Sequence, residues 1–353
     1  MPTSSNDEVS AGPPRLIGVP YDGSSSFLRG PAEAPGLIRA ALASSHWNSW
    51  SEQGNDLAGE NGWSDGGDLS LSGGAAARTE MEAGISGLLA SGARPIALGG
   101  DHSVSYPIVR ALSHHYPGLT ILHLDAHPDL YPEFAGDRFS HACPFARIMD
   151  EGLVMRLVQG GIRTMNDMQR AQAERFGVEV IEMRQWVQGL RPRVEGTVYL
   201  SLDLDVLDPA FAPGVSHREP GGLSVREVVT LIQQIEGNLV GADVVEYNPR
   251  QDLGGMTATV AAKLVKEIAG RLYLSGGTVR NYLASAMTKL GASSRGEALR
   301  IALSGNGRTP RLAAATSSRS SRPLWAKNVT GFCQKMRATS ASPFTTVIAS
   351  AST

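Results

Sequence analysis

Leu124-Asp125-Ala126-His127-Pro128-Asp129 is the stretch on which the reading of this chain turns. It follows an apolar run, Leu119-Thr120-Ile121-Leu122-His123, that reads as a buried strand. Alternate side chains of an extended chain point the same way, so Asp125, His127 and Asp129 converge where the strand ends. Two carboxylates and an imidazole suit a hard or borderline divalent cation. Most strings of this kind bind nothing, so the weight comes from two companions. Leu202-Asp203-Leu204-Asp205 closes another apolar run, Thr197 to Leu202. Gly99-Gly100-Asp101-His102-Ser103 follows a third, Arg94-Pro95-Ile96-Ala97-Leu98. Three strand ends, each delivering Asp or His, are what a two-metal site needs.

Outward from these strings, strands and helices alternate. The patterning predicts strands over 15–20, 94–98, 119–124, 154–160, 178–183, 197–202 and 239–245. It predicts helices over 37–42, 75–90, 104–116, 166–176, 225–235 and 256–271. The strands are continuous apolar runs, which implies a three-layer α/β/α fold with a mostly parallel sheet covered on both faces. Sites in such sheets form at the carboxyl ends of strands, where all the candidate ligands sit. Residues 44–74 are dominated by Ser, Gly, Asn, Asp and Trp and show no period. They read as a long loop, equally a surface excursion or a wall of the site, with Trp47, Trp50 and Trp63 packing part of it down.

The 353 residues are ample for one large α/β domain plus something small. Hydrophobic content of 42% and charged content of 19% are ordinary for a globular protein. Cys143 and Cys333 are far apart and suggest neither a disulfide framework nor a cysteine metal cluster. Residues 1–14 are polar and read as a disordered leader without a signal region, and no run is long enough to span a membrane. A cytoplasmic location is the resulting expectation. Charge is uneven: residues 1–272 hold 21 Lys+Arg against 33 Asp+Glu, whereas residues 273–353 hold 11 against a single acid, Glu297. The last eighty or so residues therefore look different in origin or partner.

His102, Asp125, His127, Asp129, Asp203 and Asp205 form the candidate ligand set. Four carboxylates offset two divalent ions, and a mixed N/O set without thiolate suits Mn²⁺. An Asp at one strand end is as well explained by a helix cap. Capping does not explain the histidines, nor six such residues at three strand ends.

These strings, with Ser201 to Gly214, resemble the three metal-binding signatures of the ureohydrolase (arginase/agmatinase) family, from about Ile17 to about Leu272. Gly30-Pro31-Ala32, Phe139-Ser140-His141-Ala142, Gly214-Val215-Ser216-His217 and Glu219-Pro220-Gly221-Gly222-Leu223 are most similar to the plant-type arginases. The resemblance implies two manganese ions per subunit. His102, Asp125, Asp129 and Asp203 would hold one, and Asp125, His127, Asp203 and Asp205 the other, with Asp125 and Asp203 bridging. It implies a bridging hydroxide that attacks a guanidinium carbon and releases urea. His141 matches the family's proton-transfer histidine and Glu246 the carboxylate facing the guanidinium, where a bidentate pair fixes orientation. Ser140 and His217 are further candidate substrate contacts. After Asp129 the animal-type enzymes carry polar residues, where this chain has Leu130-Tyr131-Pro132-Glu133-Phe134. The plant-type branch is similar there, so L-arginine, giving L-ornithine, is the first expected substrate and agmatine the second. The family also implies a homo-oligomer, a trimer or hexamer.

The chain continues past that family's final helix. Leu274 to Ala292 resembles the recognition helix of a LuxR-type helix-turn-helix, with 266–272 like the helix before it and 294–303 like the one after. Thr278, Arg280, Asn281 and Lys289 are candidate phosphate or base-edge contacts to nucleic acid. The first helix of such a domain is missing, so the helix over 256–272 would have to serve both modules. The expected division is thus 1–14 leader, 15–272 ureohydrolase, 273–303 partial helix-turn-helix and 304–353 disordered basic tail. The competing function from another class is a DNA-binding regulator with an enzyme-like sensor. Six intact metal ligands plus His141 and Glu246 weigh against it. A third reading, deacetylation on a related fold, does not need Glu246.

Overall fold

The central strands are apolar on both faces, and they lie in the middle of one sheet. The computed structural model describes residues 12–58 and 62–273, with Met287. In chain order the strands are β1 (Pro14–Gly18), β2 (Ser64–Asp68), β3 (Arg94–Leu98), β4 (Thr120–Leu124), β5 (Arg156–Ile162), β6 (Glu179–Glu182), β7 (Thr197–Asp203) and β8 (Asn238–Val245). They form a sheet of order β2-β1-β3-β8-β7-β4-β5-β6 in which every pairing is parallel. Burial grades across it as composition dictates. All residues of β3 and β4 are buried, whereas the edge strand β2 is mostly exposed.

The helices are α1 (Ala34–Leu42), α2 (Gly74–Ala90), α3 (Ser105–His115), α4 (Pro144–Asp150), α5 (Asp167–Phe176), α6 (Met183–Trp186), α7 (Val225–Gln234) and α8 (Met256–Tyr273). They cover both faces. On one side the sheet residues Ile96, Leu98, Leu122 and Leu124 pack with Ile38 of α1, Val228 of α7 and Leu264 and Ile268 of α8. On the other, Ala97 and Ile121 pack with Met81 and Ile85 of α2, Ile108 of α3 and Phe145 of α4. Alternate residues of β3 and β4 thus feed opposite cores. Local chemistry sets helix ends: Asn166 and Gln169 form a capping box on α5, and Ser224 and Glu227 one on α7.

The sheet and its layers agree with the sequence reading. Three elements were not expected, among them the short helix α6, which starts at Met183 where the patterning predicts the end of a strand. β2, Ser-Asp-Gly-Gly-Asp, lies inside the stretch read as loop; it has no apolar side chain, and only pairing with β1 makes it a strand. α4 is a short helix opened by Pro144. β5 ends two residues later than expected because Gly161 and Ile162 continue the buried run.

The stretch over 48–57 resolves as a surface excursion. Its Glu52 amide donates to Glu267 and its Asn55 Nδ2 to the Gly270 carbonyl, while Lys266 Nζ donates to the Asn48 carbonyl. All three contacts fall on the second half of α8, away from the end of β8 that faces the candidate ligands. Pro14 opens β1 instead of closing a leader. Apart from Tyr273, which ends α8, and Met287, the expectations for 273–303 and 304–353, including Thr278, Arg280, Asn281 and Lys289, lie outside the described residues. No described helix is long and apolar enough to cross a membrane.

Candidate metal centre

Four adjacent strands, β3, β8, β7 and β4, present the candidate residues at their carboxyl ends. After β3 the chain turns through Gly99 (φ 55°) and Gly100 (φ 116°) into a one-turn helix that carries His102. Gly100 is required there, since a Cβ would lie 2.6 Å from the Tyr21 carbonyl oxygen. Asp101 caps that turn by accepting from the Ser103 amide. Its other oxygen accepts from the Ser24 amide at 2.8 Å, which draws in the loop after β1.

His102 is fully buried. Its Nδ1 lies 3.1 Å from Asp125 Oδ2, 3.0 Å from Asp129 Oδ2 and 3.2 Å from Asp203 Oδ2. Yet Nδ1 makes no directed hydrogen bond to any of them. A buried ring nitrogen among three carboxylate oxygens, bonded to none, is the donor arrangement of a cation site. Its Nε2 faces Ser201 Oγ at 3.1 Å, and Ser201 donates to Asp243 at 2.8 Å. That outer contact orients the ring.

A second group adjoins the first. His127 Nδ1 lies 3.0 Å from Asp205 Oδ2 and 3.4 Å from Asp125 Oδ1. Asp125 therefore turns one oxygen to each histidine, as a bridging carboxylate does. Asp203 is fixed by the Asp205 amide on Oδ1, leaving Oδ2 toward His102. All six expected ligands come together. Asp129 sits at φ 49° and Glu246 at φ 61°, left-handed conformations for non-glycine residues. Each costs on the order of 1–3 kcal/mol and is characteristic of functional sites.

The electrostatics fit the same donor set. Burial, with Asp205 and Asp125 close by, pushes the Asp203 carboxyl well above its usual range. Burial opposes charge on His127, but Asp205 and Asp125 override it and push the ring up to about 12. His102 is likewise held well above the imidazole range by Asp125, Asp129 and Asp203 despite its burial. Four carboxylates around two imidazoles concentrate negative charge and so call for positive charge among them. Divalent ions supply it and displace the imidazole protons.

Beside the ligands lies an acid–base pair. Glu246 Oε1 accepts from the His102 amide and from His141 Nδ1, both at 2.9 Å. His141 Nε2 faces Ser26 Oγ at 2.7 Å. Burial disfavours the imidazolium, but Glu246 overrides it and pushes His141 up to about 9. His217 stacks at a tilt 5.3 Å from His141 and lies 5.9 Å from His127. Burial, then the charge on His141, lowers its pKa below the usual imidazole value. Ser140 is buried and its Oγ accepts from the Ala142 amide, capping its own turn. An 810 Å³ depression lined by Pro132, Glu133, Arg138 and Arg147 touches none of the six ligands.

Three contributors escaped the sequence reading. Ser26 acts through loop packing that no pattern announces, and Asp101, though inside the quoted Gly-Gly-Asp-His string, was given no role of its own. His123 was read only as a strand residue, although it shares the period of two with Asp125 and His127.

A profile described as the Arginase family matches residues 14–270. The chain is 46% identical over 281 residues to "Arginase 1, mitochondrial" of Arabidopsis thaliana, covering 73% of this chain and 80% of the relative. The chain belongs to the arginase family. It is a ureohydrolase by that membership. It is also 36% identical over 270 residues to "Proclavaminate amidinohydrolase" of Streptomyces clavuligerus, covering 72% and 86%. Among solved structures, an arginase from Medicago truncatula superposes with a TM-score of 0.71 at 42% identity, covering 74% of this chain and 88% of the other. The arginase-like α/β fold and the plant-type resemblance are thereby shown. The cytoplasmic location expected from the N-terminus is overturned. The relatives from Arabidopsis thaliana and Oryza sativa are named mitochondrial, one of them chloroplastic/mitochondrial. A polar start to the chain was a poor guide, since organellar transit segments lack the apolar core of a secretory signal. A second profile, "Bacterial regulatory proteins, luxR family", matches residues 255–302. Residues 255–270 are claimed by both.

Proposed function

We propose that this arginase-family chain hydrolyses L-arginine to L-ornithine and urea with two Mn²⁺ ions per subunit. The observation that carries the reading is His102 Nδ1, buried and unbonded among Asp125, Asp129 and Asp203. Names of relatives support the substrate: those from Arabidopsis thaliana, Oryza sativa and Glycine max are arginases. His102, Asp125, Asp129 and Asp203 would hold one ion, and Asp125, His127, Asp203 and Asp205 the other. Bound there, the ions lower the pKa of a shared water toward neutrality and so supply a nucleophile at ordinary pH.

The remaining work falls to the chain's own side chains. Both hydrogen bonds that the described residues give the Glu246 side chain end on Oε1. Oε2 is left to accept a guanidinium N–H and so orient the planar cation. His141, protonated near neutral pH, holds a proton between Glu246 and Ser26 and delivers it to the departing amine. His217, next to His141, offers a hydrogen-bonding partner to the substrate chain. Ser140, next to His141 in the chain, is a further candidate substrate contact whose Oγ accepts from the Ala142 amide. The same reading carries assembly as a trimer or hexamer.

Urea release from arginine and from agmatine, with metal content on the same Mn²⁺-loaded sample, tests this. Arginine is the expected substrate. A large preference for agmatine, or no urea from either, overturns it. Direct DNA binding through Thr278, Arg280, Asn281 and Lys289 is the lesser reading, carried by the luxR-family match. A gel shift of the full chain against one ending at Leu272 tests it, and equal mobility ends it.

A further inference from the structure

Behind the bridging carboxylate lies a second imidazole. His123 on β4 and Gln159 on β5 are register partners, so their side chains meet on the same face of the sheet. Both are fully buried. His123 Nε2 lies 2.8 Å from Asp125 Oδ2, and Gln159 Nε2 lies 2.9 Å from His123 Nδ1. The ring stacks on Phe145 at 3.9 Å.

The proton positions along this chain are determined from its far end. Gln159 Nε2 also lies 2.7 Å from the Pro128 carbonyl oxygen, which can only accept. The amide nitrogen must therefore face Pro128. Its second hydrogen points at His123 Nδ1, which must accept. In the neutral ring Nε2 then carries the proton and donates to Asp125 Oδ2. The amide oxygen, Gln159 Oε1, is left buried without a partner. That cost is what fixing the amide this way round entails. With both nitrogens engaged, His123 has no lone pair for a metal, although it lies within 4.8 Å of the ligand atoms of His102 and Asp125.

We infer that Gln159 and His123 are positioning residues that orient the metal-bridging carboxylate through one imposed tautomer. This rests on the metal-centre reading above. Asp125 is held at Oδ1 by the His127 amide and at Oδ2 by His123, so its plane cannot rotate. Through Pro128 the same glutamine pins the turn that throws Asp129 into its left-handed conformation. One side chain on β5 thereby sets two ligands.

The test compares two amides that mimic the two ring nitrogens. His123→Gln places an N–H where Nε2 was, whereas His123→Asn places its amide near Nδ1 and leaves Asp125 Oδ2 without the donor that His123 supplied. Mn²⁺ affinity is read from the free Mn²⁺ signal in electron paramagnetic resonance, with thermal unfolding of each metal-free protein checking the fold. His123→Asn is expected to bind Mn²⁺ about 10- to 100-fold more weakly, as outer-contact losses do. His123→Gln is expected to stay close to the wild type. Gln159→Leu should weaken binding in the same direction as His123→Asn. Equal affinities for the two His123 variants overturn the inference while leaving the metal centre standing. A wild-type protein that binds no Mn²⁺ overturns both.

Discussion

Glu246 Oε1 and His141 Nδ1 lie 2.9 Å apart, and the same oxygen takes the His102 amide. One carboxylate atom thus joins the proton-carrying side of the site to the metal-binding side. Replacing Glu246 by Gln removes the charge that lifts His141 to about 9. The imidazolium then survives only to a lower pH, so the alkaline limb of the kcat profile should move acidwards. kcat itself should fall by about 10²- to 10⁴-fold. An alkaline limb that stays in place in E246Q sinks the assignment.

Asp203 offers Oδ2 to His102 while its Oδ1 is tied to the Asp205 amide. Asp203→Ala should empty the centre and abolish urea release. The loss should exceed the roughly 10- to 100-fold typical of residues that only support ligands. Metal analysis after gel filtration checks it, and wild-type turnover would show that the ligand set is misassigned.

Protons compete with metal here. His102 and His127 are both raised, the latter to about 12, so each must release a proton before its lone pair can bind a cation. Affinity for Mn²⁺ should therefore rise with pH, and binding should release protons. Calorimetry in two buffers of different ionisation enthalpy measures that release. Affinity that does not change between about pH 6 and pH 9 would contradict it.

Glu52 ties the 48–57 excursion to α7 and α8 through Arg226 and Lys263. Those partners lower its pKa to about 2 from 4.5. A depressed carboxylate stabilises the fold above its unfolded pKa and stops doing so as pH falls through the folded one. Glu52→Gln should cost about 0.5–1 kcal/mol near neutrality, because Glu52 is about one-third exposed and its partner Arg226 more so, and the pair is screened. Urea titrations should show that difference shrinking between pH 4.5 and about 2.

Gly100→Ala should destabilise by at least about 2 kcal/mol. It demands φ near 116° and puts a Cβ against the Tyr21 and Val19 carbonyls. An unchanged urea midpoint would mean the turn relaxes freely.

The parts of this molecule that were legible in advance are those where one residue type has one explanation. Buried runs such as 94–98 and 197–202 could only be interior strands, and Asp and His at their ends could only be ligands together. β2 was not legible, because Ser-Asp-Gly-Gly-Asp has no intrinsic strand preference and is held by β1 alone. Ser26 was hidden because it reaches His141 across 115 residues of sequence. His123 was readable in principle, being two residues before Asp125, but an apolar neighbourhood made it look like filler.

The helix α8 carries a consequence of its own. Residues 255–270, shared by the two family matches, include Leu264, Val265 and Ile268, all fully buried against the sheet. Lys266 and Glu267, which read as part of a regulator's helix, hold the Asn48 carbonyl and the Glu52 amide instead. Stripping α8 away to complete a DNA reader would expose those side chains, at about 1.5–3 kcal/mol for each large one. The helix that closes the arginase-family core is thus already committed: its apolar side chains cannot leave the sheet to serve a second module without undoing the first.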